Sequence, residues 1–277
     1  MGCLEAEVMY DDQLATVDLF VVNTGTAVLG RDLFAALELQ LLDGRIVTLP
    51  CCPINAADTT MKLGCAQGFT HLVKVRANVK PVQQKLRRLP FAVREAVSKE
   101  LKQLVQQDVI EPIESSEWVS PIVVTKKKDG KIWLCVDLQE PNRAIVVDSF
   151  PLPHMEEMFA ELRGSTVFST LDLQSAYHQV LLHEDSHSLT SFITHDGLFR
   201  YKRVPYGLAS GPSCFQRLMS TVLKGLTGVQ CYLDDVIVSG KTSEEHDRNL
   251  DATLQHLEAA GLKLNFDKCQ IRQTELS

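Results

Sequence analysis

Cys231-Tyr232-Leu233-Asp234-Asp235-Val236-Ile237-Val238 sets two adjacent acids between two short apolar runs. Adjacent anions repel, and burying them without a counter-charge is costly. A solvated Asp-Asp turn is the ordinary reading of such a pair. The apolar walls argue instead for two strands, Val229–Leu233 and Val236–Ser239, meeting at the acids. Hard carboxylate oxygens there would suit Mg²⁺, which resolves the repulsion.

A second acid follows the same logic. Asp172 ends the apolar strand Thr166–Asp172, and Gln174-Ser175-Ala176-Tyr177 then opens a short helix. If that strand lies beside the hairpin, Asp172 meets Asp234 and Asp235. Three carboxylates can hold two Mg²⁺ ions about 3.5–4 Å apart, the arrangement in-line phosphoryl transfer needs. One ion would activate an attacking hydroxyl and the other would stabilise a leaving pyrophosphate.

Further from the acids, Pro90–Gln107 reads as a helix with Val93, Val97, Leu101, Leu104 and Val105 on one face. Val119–Thr125 and Ile132–Val136 read as strands around Lys128-Asp129-Gly130, and Leu189–Thr194 and Leu198–Val204 as strands around Asp196-Gly197. His154–Leu162 and Gly211–Leu226 read as helices, the latter with Phe215, Leu218, Met219 and Val222 on a stripe. Thr242 and Glu245 form a capping box. The helix that follows carries Leu250, Leu254 and Leu257 inward, stops at Gly261, and leads to a last strand, Leu262–Phe266. Residues 15–48 read as short strands (Ala15–Val22, Ala27–Leu29) and a helix (Leu33–Leu39), and residues 49–73 as a linker. Irregular alternation of helices and strands predicts an α+β fold.

Composition agrees with a globular chain: 45% of its 277 residues are hydrophobic and 23% charged. No apolar run is long enough to span a membrane, and the acidic start does not read as a secretory signal. The eight cysteines are scattered without metal-ligand spacing, which fits a reducing compartment. A net charge of −7 hides an uneven distribution. Residues 1–70 carry three basic and nine acidic side chains, whereas 71–91 carries Lys74, Arg76, Lys80, Lys85, Arg87 and Arg88 and no acid. Lys126, Lys127, Lys128 and Lys131 follow around one Asp. Charge runs are usually solvated faces, yet this strip could also meet phosphates.

Several motifs stand in one order: Phe150-Pro151-Leu152-Pro153, Leu171-Asp172-Leu173-Gln174-Ser175-Ala176-Tyr177-His178-Gln179, Val204-Pro205-Tyr206-Gly207-Leu208, Phe215-Gln216 and Tyr232-Leu233-Asp234-Asp235. From about residue 75 to 277 the chain resembles the reverse transcriptase (RNA-directed DNA polymerase) of gypsy-type LTR retrotransposons. The resemblance implies right-hand fingers and palm, an antiparallel sheet with helices on one face, over residues 74–277. It implies Asp172, Asp234 and Asp235 as catalytic metal ligands, assisted by the carbonyl of Leu173, and two Mg²⁺ ions, with Mn²⁺ as an alternative. Lys127 or Lys128 would touch the triphosphate. Tyr177 would lie beneath the sugar and exclude a 2′-hydroxyl, and Tyr206 and Gly207 would floor the nucleotide pocket. His178 reads as a surface or core residue, not a ligand. The implied partners are an RNA or DNA template-primer and deoxynucleoside triphosphates, in the cytoplasm or nucleus, with no membrane.

Val21-Val22-Asn23-Thr24-Gly25-Thr26-Ala27-Val28-Leu29-Gly30-Arg31-Asp32-Leu33 is similar to the C-terminal end of a retropepsin-like protease, so residues 1–48 are expected to be a small, mostly-β remnant. Asn23-Thr24-Gly25 stands too near that end to be a protease catalytic motif.

Three departures from the family pattern bear on activity. Trp133 stands where the family carries an Arg that clamps the triphosphate, and indole cannot make a guanidinium's paired contacts. Gln139 replaces a second Arg. The thumb, connection and RNase H regions of full-length relatives would lie beyond residue 277. The alternative to an enzyme is therefore a non-catalytic retroelement remnant that at most binds nucleic acid, with any RNase H activity belonging to longer relatives.

Overall fold

The computed structural model describes residues 63–126, 132–148, 150–151, 155–232 and 235–276, and the backbone of four strands ahead of them. The chain divides into two compact units, Met1–Thr60 and Met61–Ser277. In the first unit β1 (Gly2–Tyr10) pairs antiparallel with β2 (Gln13–Val21), and β3 (Leu39–Leu42) with β4 (Arg45–Thr48). The expected strand Ala27–Leu29 and most of the expected helix Leu33–Leu39 lie outside the described residues.

The second unit starts earlier than the expected boundary at 74. Leu63, Ala66 and Val73 are buried in its core. The backbone of Cys65, Ala66 and Gln67 bonds to Gly261, Gln179 and Ala260. Apolar side chains inside a stretch that looked like a linker give it a packing role that Pro and Gly content did not reveal.

After β5 (Thr70–His71), the helix α1 (Phe91–Gln106) buries Val97, Leu101 and Leu104, while Val105 of the expected stripe stays exposed. Then come β6 (Ile110–Ile113), β7 (Ser120–Lys126), β8 (Ile132–Val136), and the short helices α2 (Gln139–Ala144) and α3 (Met155–Glu161). Next are β9 (Val167–Asp172), a 3₁₀ turn at Ala176–Gln179, β10 (Leu181–Leu182) and α4 (Glu184–His187). The chain continues through β11 (Phe192–Thr194), β12 (Gly197–Tyr201) and α5 (Gly211–Val222) to β13 (Val229–Tyr232). It ends with β14 (Asp235–Gly240), α6 (Ser243–Ala259) and β15 (Gln270–Gln273).

Two larger sheets result. One has five strands in the order β6-β12-β11-β7-β8, the other four in the order β13-β14-β9-β15. The four-stranded sheet is antiparallel throughout. The five-stranded sheet contains one parallel contact, β11 with β7. Strand β11 begins three residues later than expected because Ser188–Thr190 form a 3₁₀ turn.

Side chains alternate across a strand. In the four-stranded sheet Leu171 pairs with Val236 and Ser169 with Val238, and all four are buried. Cys214, Phe215, Leu218 and Met219 of α5 and His246, Thr253 and Leu257 of α6 are buried in the same unit. The Thr242 hydroxyl caps α6 by accepting the N–H of Glu245 at 3.2 Å, and the Glu245 carboxylate takes the N–H of Lys241.

A buried polar tie fastens α6 to β9. The Ser169 hydroxyl lies 2.8 Å from His246 Nε2, and His246 Nδ1 lies 3.1 Å from Asp247 Oδ1. Arg272 of β15 grips the same Asp247 carboxylate with Nε and a second guanidinium nitrogen. Ser169 and His246 are sealed from solvent, so this serine–histidine–aspartate series holds helix to sheet and meets no substrate.

Candidate active site

The pairing that buries Leu171 and Val236 puts the next pair on the opposite face. Asp172, last in β9, stands directly opposite Asp235, first in β14. Directly paired residues on neighbouring strands project to the same side. Two of the three predicted carboxylates are thus brought together at one end of the sheet. Tyr232, paired with Asp235 across the hairpin, shares that face. Asp234 and Leu233 lie outside the described residues, as do Lys127 and Lys128. Among the described residues no three His, Cys, Asp or Glu side chains gather as a metal-ligand set.

The acids sit on a held frame. Gln216 of α5 is buried and donates from Nε2 to the carbonyl of Cys231, 3.1 Å away, which fixes the hairpin three residues before Asp234. Leu173 continues past Asp172 into an isolated bridge with Leu264. Ser175 adopts a left-handed φ of 49°, a costly conformation for a residue with a side chain. Gln179 holds this loop: its amide nitrogen donates to the carbonyls of Gln174 and Lys263, and its oxygen accepts the N–H of Lys263 at 2.7 Å.

Tyr177 and Tyr206 come together in the structure. Their rings meet edge-on at 5.1 Å, and Tyr177 also meets Phe215 at 5.5 Å. Gly207 carries φ of +85°, a region that favours glycine. Asn142 of α2 fastens this segment from the other side. It donates to the carbonyl of Gly207 and accepts the N–H of Ala209, both at 2.8 Å.

Sequence reasoning missed Asn142. It also missed Lys268, whose ammonium lies 3.4 Å from Asp172 Oδ2. No local pattern announces either residue, because each is delivered by long-range pairing. The two family departures are both exposed: Trp133 on β8, with 48% of its surface accessible, and Gln139 at the start of α2.

His178 is a core residue. Its ring packs against Tyr201 and Tyr206. Burial, aided by the nearby Arg203 charge, lowers its pKa from the ordinary 6.5 to about 4. The unfolded chain therefore takes this proton first as pH falls. Stabilisation by neutral His178 is complete above the unfolded pKa of 6.5 and drains away down to about 4. Urea denaturation should show about 2 kcal/mol of this loss between roughly pH 7 and pH 5. His178→Phe should remove that share of the pH dependence; an identical slope in both proteins would contradict the assignment.

No helix among the described residues is long and apolar enough to cross a membrane. The comparisons with known proteins meet this geometry. A family model described as reverse transcriptase (RNA-dependent DNA polymerase) matches residues 125–277, just over half of the chain. The chain belongs to the reverse transcriptase family.

An uncharacterized Caenorhabditis elegans protein is 38% identical over 207 residues, covering 74% of this chain and 16% of its own length. The retrovirus-related Pol polyprotein from transposon 412 of Drosophila melanogaster is 33% identical over 205 residues, covering 71% and 16%. A Schizosaccharomyces pombe transposon polyprotein, Tf2-3, is 30% identical over 190 residues, covering 68% and 14%. The chain thus spans about a sixth of the length of these relatives. Among solved structures, the native prototype foamy virus protease-reverse transcriptase superposes with a TM-score of 0.70 at 24% identity, covering 76% of this chain and 28% of that one. A foamy viral enzyme solved with an RNA/DNA hybrid gives 0.69 at 21%, covering 76% and 28%. The likeness extends to the fold, the α+β fingers and palm of a reverse transcriptase.

Proposed function

We propose that this chain is the fingers-and-palm portion of a gypsy-type LTR retrotransposon Pol polyprotein, and that it carries RNA-directed DNA polymerase chemistry. The register of Asp172 against Asp235 carries this reading. In the reaction a primer 3′-hydroxyl attacks the α-phosphorus of a deoxynucleoside triphosphate and pyrophosphate leaves. Residues 1–48 are read as the end of a retropepsin-like protease, and cytoplasm or nucleus as the place of action.

The donor set suits a hard divalent cation: carboxylate oxygens lie on one face, and a positive group is already drawn to one of them. Asp172, Asp234, Asp235 and the carbonyl of Leu173 would hold two Mg²⁺ or Mn²⁺ ions. Such ions supply charge for the attacking oxygen and the departing pyrophosphate. The chain's own contribution is placement. Gln216 and Gln179 fix the two backbone segments that present the acids. The Tyr177 ring, wedged against Tyr206 and Phe215, forms a wall that would reject a ribose by clash. Asn142 holds the Gly207 segment that would floor the nucleotide pocket. Lys127, Lys128 and the basic run 74–88 would meet phosphates of nucleotide, template and primer.

The second reading, a non-catalytic remnant, is favoured by Trp133. Its indole is exposed on β8 where the family's guanidinium would stand. Extension of a primer on an RNA template, with Mg²⁺ and all four deoxynucleotides, decides between the two. Template-directed product that disappears on chelation supports the polymerase. A folded sample that makes none supports the remnant.

A further inference from the structure

Carboxylates directly opposite each other on neighbouring strands repel, so the Asp172–Asp235 pair calls for a cation. The chain brings one of its own. Lys268 belongs to a 3₁₀ turn, Phe266–Lys268, on the segment that runs from α6 to β15. That segment is strapped to the backbone of Asp172 itself. The N–H of Asn265 donates to the Asp172 carbonyl at 2.8 Å, and the N–H of Asp172 donates to Cys269 Sγ at 3.4 Å. Two residues further on, the N–H of Gln174 donates to the carbonyl of Lys263 at 3.0 Å. The lysine's root is therefore fixed relative to the carboxylate, while its side chain is 66% exposed against 30% for Asp172. An anchored stem with a solvated head can leave the carboxylate at small cost.

The same segment shows what a permanent tie looks like. Four residues later, Arg272 grips Asp247 with two guanidinium nitrogens. At Asp172 the partner is a lysine, a single-point charge with one contact at 3.4 Å.

We propose that Lys268 is a built-in counter-cation: it engages the Asp172 carboxylate and gives way to an incoming divalent ion. Ion binding at this end of the palm is then an exchange of one cation for another. Lys268 offsets the repulsion between the two acids, and it holds ion affinity below what the bare carboxylates would show. The inference rests on the reading of these carboxylates as ion ligands. Exposed ion pairs of this kind shift an equilibrium by about 1.4- to 5-fold, which sets the size of the effect.

Mn²⁺ titration followed by electron paramagnetic resonance of the free ion tests this without recourse to catalysis. The 277-residue chain is compared with Lys268→Met, Lys224→Met and Asp172→Asn, and with Lys268→Met in the Asp172→Asn background. Lys268→Met should bind Mn²⁺ roughly two- to fivefold more tightly than the parent. Lys224→Met makes the same change in net charge just before β13, at the end of that strand far from Asp235, and should leave affinity unchanged. In the Asp172→Asn background the Lys268 substitution should lose most of its effect, since its partner is gone. Equal or weaker binding by Lys268→Met, with the parent binding Mn²⁺ normally, overturns the exchange. A gain that persists in the Asp172→Asn background also overturns it, because the lysine would then act through general charge. A parent chain that is folded and binds no Mn²⁺ overturns instead the polymerase reading of the carboxylates, and the exchange falls with it.

Discussion

Asp172→Asn is expected to lower RNA-templated primer extension about a thousandfold or more while moving the melting temperature by no more than about 3 °C. The amide keeps the carboxylate's shape and loses its charge. Ion-held charge contributes several kcal/mol to phosphoryl transfer, and about 4 kcal/mol corresponds to a thousandfold. The stability terms are small and opposed. Substitution gives up a partly exposed pairing with Lys268, worth about 0.2–1 kcal/mol. It also relieves the repulsion against Asp235, of similar size. Asp172 makes its other contacts through its backbone, to Asn265 and Cys269, and these survive the change. Asp235→Asn should behave alike, being exposed at the first position of β14. A variant retaining more than a tenth of the parent's rate would remove Asp172 from the reaction. A variant that melts far lower would show that the acid serves the fold.

How far the sequence foretold this arrangement depends on whether the deciding contacts are local. The hairpin was legible because apolar runs on both sides of Asp234-Asp235 have only one economical arrangement, back to back. The convergence of Asp172 on it was legible for the same reason: a buried strand ending in an acid fits beside another such strand. Helix α1 showed in the spacing of Val97, Leu101 and Leu104. The last strand was misread. Leu262, Leu264 and Phe266 alternate as a strand should, yet Leu262 is buried, Leu264 makes only a single bridge to Leu173, and Phe266 lies exposed in a 3₁₀ turn. The true edge strand, Gln270–Gln273, is mostly exposed and carries Arg272 at φ of 53° beside a register shift. Nothing in Gln-Ile-Arg-Gln predicts that, because β9 imposes the pairing from outside. Lys268 and Asn142 escaped notice on the same ground. Their partners are distant in sequence, and a surface polar residue looks alike whether it faces water or a carbonyl or carboxylate.

Arg203→Met should destabilise the second unit by about 3 kcal/mol, lowering its melting temperature by roughly 6–12 °C. The guanidinium is almost wholly buried. It donates to the carbonyls of Gly64 at 2.7 Å, His178 at 3.0 Å and Asp108 at 3.1 Å. Those acceptors lie on three separate segments: the start of the unit, the turn after β9, and the turn before β6, where Asp108 has φ of 57°. Methionine fills much of the volume and supplies no donor. Each buried carbonyl left without one costs about 1–3 kcal/mol, less whatever water can recover. A second readout separates lost hydrogen bonding from lost packing. The Arg203 charge is the lesser of two causes, after burial, that lower the His178 pKa. Its removal should raise that pKa, so the lower end of the unit's acid-sensitive range moves up towards 6.5 and the stability lost across it shrinks. Arg203→Lys keeps a cation without the planar fork, so it should preserve the acid range better than methionine while failing to reach all three carbonyls. A melting temperature within about 2 °C of the parent for Arg203→Met would mean that the three carbonyls find other donors, and that the guanidinium is not what joins the segments.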